Sequence, residues 1–166
     1  MGRKTISFLI SIFVLGVFST PVRAAEPKIE DYIFIWYVAK VGDVAMDIEK
    51  TRKSLQVVLS SPGGALGRVS ASPDQAELIA AVLKKADEYY DKQANSQDLK
   101  SEDMVPAGEY KVYFTSNRGR NFKVSVRGPK TFGGAALMGQ KEAMTLSEFL
   151  LKAKQYAALV DKKINP

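Results

Sequence analysis

The chain contains no histidine and no cysteine. These absences exclude Ser-His-Asp and Cys-His catalysis. They also exclude disulfides, haem held by His or Cys, lipid attachment at cysteine, and zinc sites of the usual His/Cys kind. Other signatures are missing too. No Ser or Thr is followed three residues later by Lys, and there is no Gly-x-Ser-x-Gly elbow, P-loop or dinucleotide fingerprint. An enzyme would have to use Ser with Lys, Tyr, or paired carboxylates. Asp87 and Asp91 share a helix face, but Lys84 lies one turn from Asp87 and Glu88, as on a solvated, ion-paired surface. The sequence therefore reads as a non-catalytic protein with no cofactor and no metal. One span resembles a calcium loop, with Asn95 and Glu102 at the fifth and twelfth places counted from Asp91. Its third place is Gln93, and its sixth is Ser96 where glycine is needed, so it reads as a polar linker.

Against these absences stands a globular composition. Charged residues are 25% and apolar residues 46% of the 166, which separates the chain from disordered polymers. The start is different in character. Arg3 and Lys4 precede a mostly apolar run from Phe8 to Phe18, Pro21 breaks it, and Val22-Arg23-Ala24 supplies small or apolar residues at −3 and −1. This three-part pattern is that of a secretory signal, residues 1–24, cleaved after Ala24. The run is too short for a bilayer, which needs about 20 apolar residues. The expected location is a periplasm or the extracellular space, with no transmembrane segment in the mature chain.

Without Arg3, Lys4 and Arg23, the remaining 142 residues carry 21 basic and 18 acidic groups. A chain of that size buries roughly two-thirds of its surface as one domain. Its charge is uneven: residues 25–106 hold 14 acids and 10 bases, and residues 107–166 hold 4 acids and 11 bases. No acid lies between Glu109 and Glu142, while seven bases do. Uncompensated like charges are best tolerated where a partner anion neutralises them.

The chain is also written twice. Residues 55–72 and 122–145 both run from strand-like alternation through a proline (Pro62, Pro129) to a Gly-Gly pair (Gly63-Gly64, Gly133-Gly134) and a further glycine (Gly67, Gly139). Such glycines more often mark a bulge or bend than an anion nest. A helix start follows in each: Ser72-Pro73-Asp74-Gln75 and Thr145-Leu146-Ser147-Glu148 both have the form of a capping box. The periodicity predicts helices over about 73–93 and 146–163. The apolar stripes are Ala76, Ile79, Leu83, Ala86 and Tyr90 in the first, and Phe149, Ala153, Tyr156 and Val160 in the second.

Each helix is preceded by a predicted hairpin. Val44, Met46 and Ile48 pair with Leu55, Val57 and Leu59 in the first half; Tyr110, Val112 and Phe114 pair with Phe122, Val124 and Val126 in the second, around a turn at 116–120 in which Gly119 takes positive φ. The expected fold is α+β: two tandem β-hairpin-strand-helix repeats in one pseudo-symmetric domain, with antiparallel curved sheets packed on two helices. The expected boundaries are 25–40 for an apolar N-terminal segment, 41–94 for the first ββ(β)α repeat, 95–106 for a polar linker and 107–166 for the second repeat. Tyr32 to Val38 reads as a buried strand; a helix with Ile29, Ile33 and Trp36 on one face is the alternative.

The second half, Glu109 to Val160, resembles a purine-rich-element-binding (PUR) repeat and, more loosely, the Whirly-type single-strand binders. The local match is Asn117-Arg118-Gly119-Arg120-Asn121-Phe122-Lys123-Val124, similar to the basic-Gly-Arg-Phe-aliphatic turn and strand of that family. The resemblance implies tandem curved antiparallel sheets crossed by helices, and single-stranded nucleic-acid binding. The corresponding turn of the first half, Lys50 to Ser54, lacks the glycine, and PUR proteins are intracellular, whereas this chain begins with an export signature.

Strand alternation places Lys111, Tyr113 and Thr115 opposite the core side of the second hairpin, together with Lys123, Ser125 and Arg127. With Arg118 and Arg120 at the turn and Lys130 beyond it, these residues form a candidate site: cations for phosphate, sulfate or carboxylate groups, and Tyr113 for stacking. The same residue types also suit an ordinary hydrated sheet face. The leading expectation is an exported binding protein for a polyanion, either single-stranded nucleic acid, an anionic glycan or an acidic surface. The alternative is a protein–protein module (an inhibitor, an immunity-type protein or an envelope assembly factor) with Trp36, Tyr37, Tyr89 and Tyr90 as interface anchors.

Overall fold

The computed structural model describes residues 31–129 and 134–164. The expected export segment and Lys130 lie outside these. The described chain runs β1 (Ile33–Val41), β2 (Val44–Thr51), β3 (Leu55–Ser60), a 3-10 turn (Gly64–Gly67), β4 (Arg68–Ala71), α1 (Pro73–Leu83) and α2 (Ala86–Ala94). It then repeats the plan with β5 (Ser101–Ala107), β6 (Tyr110–Asn117), β7 (Arg120–Arg127), β8 (Ala135–Met138), α3 (Gln140–Leu150) and α4 (Ala153–Ile164). The strands form two antiparallel sheets, β1-β2-β3-β4 and β5-β6-β7-β8, so the fold is α+β and doubled. The doubling keeps a constant spacing: Pro73 and Gln140 are 67 residues apart, as are Leu83 and Leu150. Among the described residues no helix is long and apolar enough to cross a membrane.

Each unit is one strand longer than the sequence pattern indicates. The Tyr32–Val38 stretch does contain a strand, but as the edge of the first sheet and not as a buried one. It turns Phe34 and Trp36 toward the core and leaves Ile33, Ile35 and Tyr37 in solvent. The second half of the segment expected as linker, 95–106, belongs to the matching edge strand β5, paired with β6 from Ser101↔Ser116 to Ala107↔Tyr110. Its alternation is hidden by Pro106, which an edge strand tolerates because the amide it lacks need not join a ladder.

The helices also differ from the expected pair. Both break at equivalent points. Lys85 N and Lys152 N donate three residues back, to Val82 O and Phe149 O at 3.0 Å each, which tightens one turn and redirects the axis. The second helical arm begins at Gln140 and not at 146. Its N-cap is Gly139, whose N–H donates to the Glu142 carboxylate at 2.5 Å, the counterpart of Ser72 Oγ accepting from Gln75 N at 3.2 Å. Thr145 sits mid-helix with its hydroxyl on Lys141 O. The sequence contains two capping signals six residues apart here, and the spacing of the doubled fold selects the first.

The break lets the units exchange helices. α1 packs on α3 at the centre, whereas α2 crosses to β6 and β7 and α4 crosses to β2 and β3. Tyr89 stacks on Phe114 at 4.3 Å between ring centroids, and Tyr90 meets Phe122 edge-on at 5.5 Å. In the mirror position Tyr156 of α4 meets Trp36 of β1 edge-on at 5.5 Å, and Lys50 pairs with Asp161 at 2.6 Å. One continuous core results, in which Met46, Ile48, Ile79, Leu83, Phe114, Leu146 and Leu150 are fully buried. Neither sheet has its apolar face covered without the other unit's terminal helix, so burial couples the halves.

Candidate anion-binding face

The second hairpin adopts the register that strand alternation implies. Tyr110, Val112 and Phe114 point inward, and Lys111, Tyr113 and Thr115 outward. Across the pair, Lys111 stands opposite Arg127, Tyr113 opposite Ser125 and Thr115 opposite Lys123. Two cations directly across a strand pair repel each other, so their juxtaposition costs stability unless an anion joins them. The Arg127 guanidinium lies over the Tyr113 ring, 4.5 Å from its centroid. Among the described residues neither Lys111, Lys123 nor Arg127 forms an ion pair. Their side chains remain exposed.

The neighbouring strands frame this patch. From β5 come Met104 opposite Tyr113 and Glu102 opposite Thr115; from β8 comes Leu137 opposite Ser125. Glu102 brings an acid to a face whose own hairpin has none, and Lys100 holds it at 2.6 Å. Sequence reasoning missed both because it treated 95–106 as a connector. The loop before β4 also reaches this face from the first unit. Ser61 Oγ accepts from Leu137 N at 3.4 Å, and Leu66 and Gly67 wall an open cleft of about 450 Å³ over Thr115, Ser125 and Arg127. The 67-residue spacing makes Gly134, and not Gly139 as the sequence pattern suggests, the counterpart of Gly67; Gly139 corresponds to Ser72. A Cβ at Gly134 would run into the Arg68 carbonyl oxygen, so this glycine permits close backbone approach between the two sheets.

Arg118 and Arg120 do not join this patch. Asn117 pairs with Arg120, so Arg118-Gly119 is a two-residue hairpin loop with φ +47° and +66°. Positive φ at both central positions makes it a type I′ turn. A bulge follows on β7, with Asn121 at φ +53°. The tip is clamped to the chain leaving α2: Arg118 N donates to Asp98 O at 3.0 Å, and a Cβ at Gly119 would collide with the Ala94 carbonyl oxygen. Between the tip and this connection lies an open cleft of about 910 Å³, with Ala94 and Leu99 among its polar lining residues. The expected site is therefore divided: Lys111, Tyr113, Lys123 and Arg127 share the sheet face, Arg118 and Arg120 line the tip cleft, and Lys130 falls outside the described residues.

The expected interface anchors also separate. Tyr89 is stacked on Phe114 and Trp36 is packed against Tyr156, so both serve the core; Tyr90 keeps partial exposure beside Phe122; Tyr37 alone of the four projects freely, 76% exposed.

Two carboxylates lie in different settings, Asp47 on the outer face of the first sheet opposite Tyr37 and Asp103 on the helix-facing side of the second opposite Phe114. Burial and the nearby Glu49 raise Asp47 above its ordinary range, against the lowering effect of Arg68. Its Oδ1 is buried without a hydrogen-bond partner among the described residues. For Asp103, burial pushes upward, but the hydrogen bonds from Lys92 and Gln93 outweigh it and hold the carboxyl below its usual range. Gln93 Nε2 donates to Asp103 at 2.8 Å and to Phe114 O at 3.1 Å, tying α2 to the second sheet. Burial, with Glu109 nearby, raises the phenol of Tyr110, which donates to Ser70 O at 2.5 Å and joins the sheets. No protein-family model matches the chain, and a comparison with curated proteins finds no similar sequence.

Proposed function

We propose that the protein is an exported, non-catalytic binding protein that holds a polyanionic chain along the outer face of its second sheet. The observation that carries this reading is the opposition of Lys111 and Arg127 across β6 and β7, with Lys123 on the same face and no acidic partner for any of the three among the described residues. Phosphate, sulfate or carboxylate groups spaced along a polymer relieve that repulsion, and counterion release adds a salt-dependent gain. Tyr113 offers a ring for a base or sugar once Arg127 turns to the anion. The resemblance of Asn117–Val124 to the PUR turn and strand favours single-stranded nucleic acid; the export signature favours an anionic glycan.

The test is retention of the purified protein on single-stranded DNA, duplex DNA and heparin across a salt series. Binding at low salt that falls steeply with added salt is expected. Neutralising Lys111, Lys123 and Arg127 to Gln is expected to flatten the logarithmic salt dependence on duplex DNA by about 3 and on single strands by about 2. Unchanged retention of this triple variant would remove the face from the reading.

A second reading is favoured by one specific feature. β1 is an edge strand that presents Ile33, Ile35 and Tyr37 to solvent, and exposed edges of this kind are templates for another chain. A protein partner docked there would be retained through high salt.

A further inference from the structure

We infer that the cleft at the tip of the β6–β7 hairpin is a second binding site, distinct from the sheet face, and that it takes an acidic saccharide unit. The first ground is its lining. Four carboxamide side chains, Asn95, Gln97, Asn117 and Asn121, surround the cleft. A carboxamide donates and accepts within one group, which matches a sugar hydroxyl that also does both. Arg118 and Arg120 supply cationic donors, and neither forms an ion pair among the described residues; Lys100, which also lines the cleft and borders the sheet face, is already paired with Glu102. Guanidinium groups bind carboxylate or sulfate in two-point fashion. Among the described residues no aromatic side chain lines the cleft, so they provide no stacking platform for a nucleobase. Its volume of about 910 Å³, partly open to solvent, accommodates a disaccharide.

The second ground is the backbone. The first central position of a type I′ turn favours Asn, Asp or Gly. This chain places Arg118 there at φ +47°, next to Gly119 and shortly before Asn121 at φ +53°. An arginine in that conformation is uncommon and carries strain. The turn chemistry would be better served by Asn, so Arg118 contributes a guanidinium that the turn itself does not require. The clamp of Arg118 N on Asp98 O and the fit of Gly119 against Ala94 O hold both walls in place before any ligand arrives. Preorganisation of this kind lowers the ordering cost of binding.

The experiment is NMR titration of the isotope-labelled protein with three probes: digalacturonate, its methyl ester and inorganic phosphate. Digalacturonate is expected to shift the backbone amide signals of 95–100 and 117–121. The methyl ester, which keeps the hydroxyls and loses the charge, is expected to bind about tenfold more weakly, as is phosphate, which keeps the charge and lacks the hydroxyl array. Arg118→Asn is the decisive variant, since it satisfies the turn and removes the guanidinium. It is expected to fold at least as stably and to bind digalacturonate about tenfold more weakly. The Lys111/Lys123/Arg127→Gln triple variant is expected to bind digalacturonate as the parent does. Phosphate binding as tightly as digalacturonate would overturn the saccharide assignment. Absence of shifts at 95–100 and 117–121, or undiminished affinity in Arg118→Asn, would overturn the site. Loss of digalacturonate binding in the sheet-face triple variant would merge the two sites and overturn their distinctness, whereas failure of that face to hold polyanions leaves the tip-cleft outcome unaffected.

Discussion

The outer faces of the two sheets start from the same backbone and end with opposite electrostatics. On the first, Arg68 reaches Glu49 at 2.5 Å, and Asp47 is buried beside them on the strand whose edge neighbour carries Ile33, Ile35 and Tyr37. Charge there is neutralised within the sheet or pressed out of solvent. On the second, Lys111, Lys123 and Arg127 stand exposed and without an ion pair among the described residues, and the acid that does arrive, Glu102, is already held by Lys100. A duplicated fold constrains the inward side chains of both copies, because the two cores are shared and close-packed. The outward positions are free to diverge, and function is sought where they have.

Several perturbations would break or sharpen this contrast. The largest effect is expected in the core that the halves share. Phe114→Ala removes a fully buried ring and leaves Tyr89 of the crossing helix without its stacking partner, with an expected loss of about 3–5 kcal/mol in denaturant unfolding. If unfolding of the variant separates into two transitions, the halves are less coupled than their exchanged helices imply. Next is Gly119→Ala. A side chain there meets both a left-handed φ of +66° and the Ala94 carbonyl, and a cost of at least about 1–2 kcal/mol is expected by the same measurement.

A third effect concerns the two carboxylates and is read from stability against pH. Asp103 has a depressed folded pKa, so its stabilisation is present above the unfolded aspartate value and is lost as pH falls through the lower folded value. Asp47 has a raised folded pKa, so its charged form opposes folding at neutral pH and that opposition disappears as pH falls into the acid range. Asp47→Asn is therefore expected to stabilise the protein at pH 7 and to have little effect at pH 3. Asp103→Asn is expected to destabilise it at pH 7 and to matter less in acid. Identical profiles for the two variants would show that the outer-face setting of Asp47 and the helix-facing setting of Asp103 do not differ in this respect. The smallest effect is Lys111→Gln, which relieves the repulsion with Arg127. Free-protein stability is expected to rise by a few tenths of a kcal/mol, about the size of a cross-strand charge term, while retention on a polyanion falls.

Much of this was legible along the chain. The alternation of Tyr110 to Thr115 and Phe122 to Arg127 by itself determined which side chains face the core and which face solvent, because a strand has no other way to dispose of alternating polarity. The same applies to the stripe Ala76, Ile79, Leu83 and Ala86 and to the doubling of the plan. Local chemistry was insufficient where two signals competed. Thr145 with Glu148 and Gly139 with Glu142 are both plausible helix starts, and only packing α3 against α1 chose the earlier one. β5 was illegible because its polar and proline positions are those of an edge strand, recognisable only once β6 lies beside it. Tertiary structure alone decided that α2 and α4 trade sheets, since a helix stripe states that it must be buried but not against which partner. It also decided that Arg118 and Arg120 leave the sheet face for the tip cleft: that depends on where the chain leaving α2 passes, a contact with Asp98 and Ala94 some 20 residues earlier in the chain that no local pattern encodes.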